Sequence, residues 1–213
     1  AVKIYKTYGN QSIDVVKTNP YKLADDIWGI GFKTADKIAR QMGYDSNSYE
    51  RCRSGLVYVL NELSNEGHCY ALREQLLEEA AAILELDRSL IESTINRMIE
   101  EKTVIPDEGD ALYLPAFYYS EIGAAGRIRQ ILAEESRYKS VDIDKILENI
   151  QKENNIQYDH IQIEAVKTAV RSKFTILTGG PGTGKTTTTL AVIKVFQKLN
   201  AKVLLAAPTG RAA

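Results

Sequence analysis

The sharpest chemistry in this sequence lies in Gly179, Gly180, Pro181, Gly182, Thr183, Gly184, Lys185 and Thr186, which fit the pattern G-x-x-x-x-G-K-[ST]. Glycines at those positions let backbone N–H groups converge on phosphate oxygens without Cβ interference, and a helix that starts there adds its positive end. The spacing predicts that Lys185 reaches the β- and γ-phosphates of ATP and that the Thr186 hydroxyl ligates Mg²⁺, with Thr187 completing the nucleotide-binding set. Lys185 and Thr186 are therefore the candidate catalytic residues. Upstream, Gln162 carries an amide that donates and accepts at once, which suits the adjacent N6 and N7 of adenine. A glutamine facing solvent is the commoner use of that residue, and only the loop behind it lifts the functional reading. Downstream, Pro208, Thr209, Gly210 and Arg211 place a hydroxyl and a guanidinium in a turn at the carboxyl edge of an expected sheet, where ligands of open α/β folds bind.

A second set of residues suits phosphate chemistry of another kind. In the run Leu23 to Ala39, Gly29 and Gly31 predict a tight turn between two helices, with Lys33, Thr34 and Lys37 on the helix after it. The turn amides, the helix N-terminus and the lysines would together face a DNA phosphate without reading the base sequence. The run resembles a helix-hairpin-helix, although Trp28 stands where the usual hairpin has proline. Such motifs also serve simply as packing units.

These groups need a scaffold, and hydrophobic period supplies an expected one. Helices are predicted over Val2 to Tyr8, Ser12 to Lys17, Tyr21 to Ile27 and Phe32 to Met42, the last closed by Gly43. Three more, over 50–66, 72–84 and 88–101, precede a hairpin around Asp107 to Asp110, with Asp87 a plausible N-cap; that order matches a winged helix. Helices over 118–135 and 142–153 come next, with Phe117, Tyr118 and Tyr119 assigned to packing at a junction. A helix over 159–171, a strand Phe174 to Leu177, the glycine loop, a helix Lys185 to Leu199 and a strand Val203 to Ala206 then read as the start of a βαβ unit. The expected fold class is mixed. It has a mainly α N-terminal region, made of a helix-hairpin-helix (1–45) and a winged-helix-like block (46–114), then a helical connector (115–155). The opening of a P-loop α/β RecA-like domain (156–213) ends the chain, and its two strands leave that domain incomplete, as in a fragment.

Charge separates these regions. The 213 residues sum to a net −1, yet 1–45 carries +2, 46–114 carries −8, 115–158 carries −1 and 159–213 carries +6. The basic end segments suit phosphates, whereas the acidic middle favours a scaffold or a protein partner through residues 46–114, even with Arg88, Arg97 and Lys102 available as a local basic strip. No apolar run approaches the ~18 residues of a membrane span, and the start lacks the layout of a signal peptide, so a cytoplasmic protein without a membrane role is expected. Cys52 and Cys69 lie too far apart in sequence for a C-x-x-C motif, and no four-ligand zinc site or disulfide framework can be built from them.

Taken together, the Gln162 helix, GGPGTGKTTT and APTGRAA resemble motifs Q, I and Ia of superfamily 1 helicases of the RecD-like branch. NPYKLADDIWGIGFKTADKIA with the acidic block after it resembles the extension of stand-alone RecD-like helicases rather than the subunit of the three-subunit exonuclease V complex. Val2 to Gly9 resembles the second helix of a preceding hairpin motif. The resemblance implies an ATP-dependent DNA helicase, a hydrolase of the kind used in DNA repair, moving 5′ to 3′ on single-stranded DNA and meeting fork DNA. It further implies adenine contact at Gln162, ATP-Mg²⁺ at Lys185 and Thr186, and single-stranded DNA at Thr209 to Arg211. Motifs that complete hydrolysis are absent from these residues, so the fragment should not turn over ATP. Two alternatives stand beside this reading: a non-catalytic DNA-binding adaptor with a nucleotide-switch site, and a clamp-loader-like ATPase that shares GGPGTGKT.

Overall fold

In the computed structural model, which describes residues 2–207, the chain divides into two compact units, one reaching to Ile122 and the other beginning at Gly123. The first unit starts with α1 (Val2–Tyr8), α2 (Ser12–Thr18), α3 (Lys22–Asp26) and α4 (Phe32–Gln41). Gly43, with φ of +72°, closes α4 as expected. The long α5 (Tyr49–Asn65) begins at Ser48, whose side chain accepts from the Arg51 amide. Its buried positions Cys52, Leu56, Val59, Leu60 and Leu63 recur at helical spacing and form one apolar stripe.

After α5 come β1 (Ala71–Leu72), α6 (Arg73–Leu84), α7 (Arg88–Glu100), β2 (Ile105–Asp107) and β3 (Ala111–Tyr113). The strands form an antiparallel sheet in the order β1-β3-β2, with Ala71 opposite Leu112 and Pro106 opposite the same Leu112. This helix–strand–helix–helix–strand–strand order is that of a winged helix. Strand β1 escaped the sequence reading because two residues leave no period to detect; only pairing with a distant strand defines it. Asp87 takes the extended N-cap conformation at α7, but its side chain makes no cap bond. Residues of the hairpin region and the winged block share one core, in which Leu23, Phe32 and Ala35 join Leu56, Leu76 and Ile91.

One buried polar knot ties the hairpin region to α5. Arg51, 2% exposed, donates from Nε to Asp36 at 2.8 Å and from Nη1 to the Ser46 carbonyl at 3.0 Å. Asp36 also accepts from the Tyr21 hydroxyl at 2.8 Å and from Arg40 Nε at 3.0 Å. Burial alone would raise the Asp36 pKa, but the hydrogen bonds from Arg51 and Tyr21 and the nearby guanidinium charges hold it below the ordinary carboxylate value.

Helix α8 (Pro115–Leu132) leads from the first unit into the second and buries none of its residues. The assignment of Phe117, Tyr118 and Tyr119 to core is corrected here: none of the three is buried, Tyr119 is 64% exposed, and the Tyr118 ring lies edge-to-face with both Tyr113 and Tyr119. An aromatic run in sequence signals burial only if its helix has something to cover it.

In the second unit, α9 (Ile143–Asn154), α10 (His160–Arg171) and α11 (Lys185–Lys198) pack through Ile143, Leu147, Ile150, Val166, Val170, Ala191 and Val195. The expected connector helix α9 is thus part of the same core as the helices flanking the glycine loop. The expected strands Phe174 to Leu177 and Val203 to Ala206 are a second correction, because neither segment is paired into a sheet among the described residues. A parallel strand exists by hydrogen bonding to neighbours and by burial on both faces. Here Ile176, Leu204 and Leu205 stay 76%, 81% and 76% exposed. The expected α/β character of this unit is therefore not formed as a sheet, and its observed frame is helical.

Candidate nucleotide and nucleic-acid sites

The glycine loop is built by backbone conformations that side chains resist. Gly182 and Gly184 have φ of +76° and +77°, and Gly184 is the N-cap from which α11 departs. The Thr183 hydroxyl donates to the Gly180 carbonyl at 2.9 Å, cross-bracing the turn. Thr188, buried one turn into α11, donates its hydroxyl to the Gly184 carbonyl at 3.0 Å. The loop therefore ends on a helix whose first amides point back into the turn, as an anion site needs.

Lys185 occupies the mouth of that turn, and its Nζ donates to the Gly179 carbonyl at 2.5 Å and also to the Gly180 carbonyl. The ammonium is thereby held over the loop. It stands between two clefts: one of about 660 Å³, shared with Thr186, Leu190 and Ala206, and one of about 300 Å³, shared with Gln162, Gly179 and Thr183. Thr186 and Thr187 sit at the start of α11. Gly179, Gly180, Pro181, Gly182, Thr183, Gly184, Lys185 and Gln162 are thus gathered in one place.

Gln162 reaches the loop from α10. Asp159 caps that helix, accepting from the Gln162 amide at 2.9 Å, while Gln162 Oε1 accepts from the Asp159 amide at 3.1 Å; the two form a capping box. The other end of the side chain lies against the loop, since a Cβ on Gly184 would collide with Gln162 Nε2. Pro208, Thr209, Gly210 and Arg211, the remaining candidates here, lie outside the described residues.

At the hairpin turn the backbone shows the same preference. Gly29 has φ of +87°, which a side chain resists, and the Ile30 amide donates to the Ile27 carbonyl at 3.0 Å to close the turn. Gly31 is the extended N-cap of α4, and a Cβ there would meet nothing, so its glycine is not required by the turn itself. The Gly31 carbonyl accepts from the amides of Thr34 and Ala35. Lys33, Thr34 and Lys37 lie on α4, the two lysines one turn apart and both exposed. The Lys33 ammonium lies 5.4 Å from the Tyr58 ring, and its interaction with the Tyr58 side chain raises its pKa.

At this turn the sequence marks Trp28 only as a departure from the usual proline, and its partner Lys3 escapes it. Trp28 is 93% exposed, and Lys3 of α1 lies 5.8 Å from its ring while donating to its carbonyl at 3.4 Å. No local pattern could have joined Lys3 to position 28. The arginines considered as a basic strip are, by contrast, already matched. Arg88 pairs with Glu74, and Arg97 pairs with Glu101 at 2.8 Å while stacking on Tyr49. Their charges are spent within the acidic block.

Comparisons with known proteins add an independent line. A family described as the ATP-dependent RecD2 DNA helicase HHH domain matches residues 1–70, and an AAA domain matches residues 162–213. The ATP-dependent RecD2 DNA helicase of Deinococcus radiodurans is 26% identical over 226 residues, covering all of this chain and 31% of that protein. The RecBCD enzyme subunit RecD of Haemophilus influenzae is 54% identical over 52 residues, 23% of this chain and 8% of that subunit. Its counterpart in Buchnera aphidicola is 42% identical over 71 residues, 32% of this chain and 11% of the subunit. The chain thus spans about a third or less of the length of each of these relatives.

Proposed function

We propose that this chain, RecD-like in both its hairpin and its loop segments, belongs to an ATP-dependent DNA helicase that couples nucleotide hydrolysis to 5′-to-3′ movement along single-stranded DNA in the cytoplasm. The observation that carries the reading is the convergence of Lys185, the turn of Gly179 to Gly184 and the Gln162 amide around the N-terminus of α11. Loop amides would hold the phosphates, and the Lys185 ammonium would exchange its carbonyl acceptors for phosphate oxygens. The residues fit a Mg²⁺ ion in one respect, the Thr186 hydroxyl on the cleft that also holds Lys185. When bound, the ion would offset charge on the transferring phosphoryl group. Gln162 would contact the adenine, with Thr187 at the edge of the set.

On the DNA side, Gly29, Gly31, Lys33, Thr34 and Lys37 would meet backbone phosphates of fork DNA. The first amides of α4 are those a helix leaves unpaired, and they add to the two lysines. Pro208 to Arg211 would contact the single strand. The paired arginines of the winged block favour its use as a scaffold or protein contact. The test uses the full-length protein on duplexes with a 5′ or a 3′ single-stranded tail. ATP-dependent opening of the 5′-tailed duplex alone, abolished in Lys185→Ala, is expected. Binding of DNA without opening of either duplex would replace the motor reading with a DNA-binding adaptor.

A further inference from the structure

At the hairpin turn the core takes every large side chain but one. Ile27 is buried and Ile30 packs against the same core, so the turn is pinned on both sides of Trp28. The indole itself stays in solvent; at 93% it is the most exposed large hydrophobic side chain among the described residues. Gly29 and Gly31 beside it offer nothing to shield the ring. Helix α1 is fastened to this corner by the Tyr8 hydroxyl, which donates to Asp26 at 2.8 Å. From α1 the Lys3 ammonium reaches to 5.8 Å from the indole ring and donates to the Trp28 carbonyl. Lys33 and Lys37, both exposed, follow on α4. One exposed apolar residue is ordinary on a protein surface. An open aromatic face set beside cations, at a turn built for phosphates, asks for a ligand that is planar and anionic at once.

We propose that Trp28 is a base-stacking residue: it holds one unpaired base of DNA while the turn and its lysines hold neighbouring phosphates, so that the hairpin prefers a single strand or a fork to continuous duplex. This rests on the reading of the hairpin as a DNA site. Phosphates line single strands and duplexes alike, so the backbone contacts of Gly29, Gly31, Lys33, Thr34 and Lys37 would not by themselves tell one from the other. A ring face does. Within a duplex each base is covered above and below by its neighbours, and only an unpaired or terminal base has a face to offer. Every base has such a face, so the contact is indifferent to sequence, as the backbone contacts are. Lys3 would then meet the phosphate attached to the stacked base, and the three lysines favour a polyanion over an apolar protein surface as the occupant.

The test titrates the full-length protein, without nucleotide, against a fluorescently labelled forked DNA and follows anisotropy. Relaxed, covalently closed circular duplex, which has no free base face, serves as the competitor that reports duplex affinity. Trp28→Ala should weaken fork binding by about fivefold to a hundredfold, the loss carried by one base stacked on an aromatic ring, and should leave the affinity for the circle within about twofold. Trp28→Phe, which keeps a ring face, should recover most of the loss. The 93% exposure of the ring means that neither change removes core packing, and unchanged circular dichroism checks this. Equal weakening on fork and circle would make Trp28 a keeper of the turn's shape and overturn the proposal. Unaltered binding to both would overturn it too, and would assign the ring to a protein partner. Failure of the underlying DNA reading looks different: Lys33→Ala with Lys37→Ala would then leave the affinity for the circle unchanged.

Discussion

Removing the Asp36 carboxylate should destabilise the first unit far more than its place on a short, partly exposed helix suggests. The side chain takes hydrogen bonds from Tyr21, Arg51 and Arg40. In Asp36→Ala the Arg51 guanidinium, 2% exposed, keeps only the Ser46 carbonyl of these contacts as an acceptor. Breaking a buried ion pair from one side costs about 3–5 kcal/mol, because an uncompensated charge stays behind. Arg40 has a side chain 52% exposed, so Arg40→Ala should cost less than about 1 kcal/mol. Hydrogen exchange across α4 and α5 in the full-length protein reads the difference locally, with urea unfolding by circular dichroism as the global check. Similar losses of protection in the two variants would refute the account of a buried charge needing its partner. The pH dependence has a definite sign. With the folded pKa of Asp36 lowered, its contribution is present above the unfolded value of about 3.9 and is lost as pH falls from there through the folded value. Asp36→Asn should remove that part of the acid sensitivity.

In the full-length protein Lys185→Ala should abolish ATP hydrolysis while leaving the helical content unchanged, since its contacts are to loop carbonyls and not to the core; loss of circular dichroism signal would contradict this. Gly184→Ala puts a side chain at a strained φ of +77° and obliges the end of Gln162 to move aside, so nucleotide affinity in calorimetric titration of the full-length protein should fall at least about tenfold; near-normal binding would show that the loop tolerates other conformations. Lys33→Ala with Lys37→Ala should weaken duplex binding and reduce the slope of log affinity against log salt by about 1–2; an unchanged slope would take the hairpin off the DNA. Arg88→Ala and Arg97→Ala should leave DNA affinity within about twofold, because each guanidinium already has a carboxylate partner.

Local signals carried most of the frame. Val2–Tyr8 ends at Gly9, α4 ends at Gly43, and the turn between β2 and β3 falls at Glu108–Asp110, all features encoded within a few residues. What escaped was non-local. Strand β1 depends on Leu112 and Ala111, far along the chain, and Lys3 meets Trp28 only after α1 has packed. Arg51 illustrates a signal present but unused: it lies in register with Gly55 and Val59 on the apolar stripe of α5, which marked a buried guanidinium and so a buried partner. The two expected strands mislead in the opposite sense. Phe174 to Leu177 and Val203 to Ala206 have strand composition, but composition cannot supply the neighbouring backbone that makes a strand.

The two candidate anion sites share a construction. At each, a glycine with positive φ, Gly29 or Gly184, turns the chain just before a helix whose free amides face outward. At each, a lysine also stands on a carbonyl of the turn: Lys3 on Trp28 and Lys185 on Gly179. A cation resting on neutral carbonyls keeps the turn closed without neutralising its own charge. An arriving phosphate then replaces a carbonyl dipole with a full negative charge, turning an ion–dipole contact into an ion pair. The difference lies in the side chains just past each helix start. α11 carries Thr186 and Thr187 beside the lysine and has Gln162 across the cleft, which under the proposed function would add recognition of one nucleotide. α4 carries only Lys33, Thr34 and Lys37, which suit any phosphate on a passing strand. On the proposed reading, one backbone device would serve a selective site and an unselective one, with the side chains on the first turns of the helix deciding which.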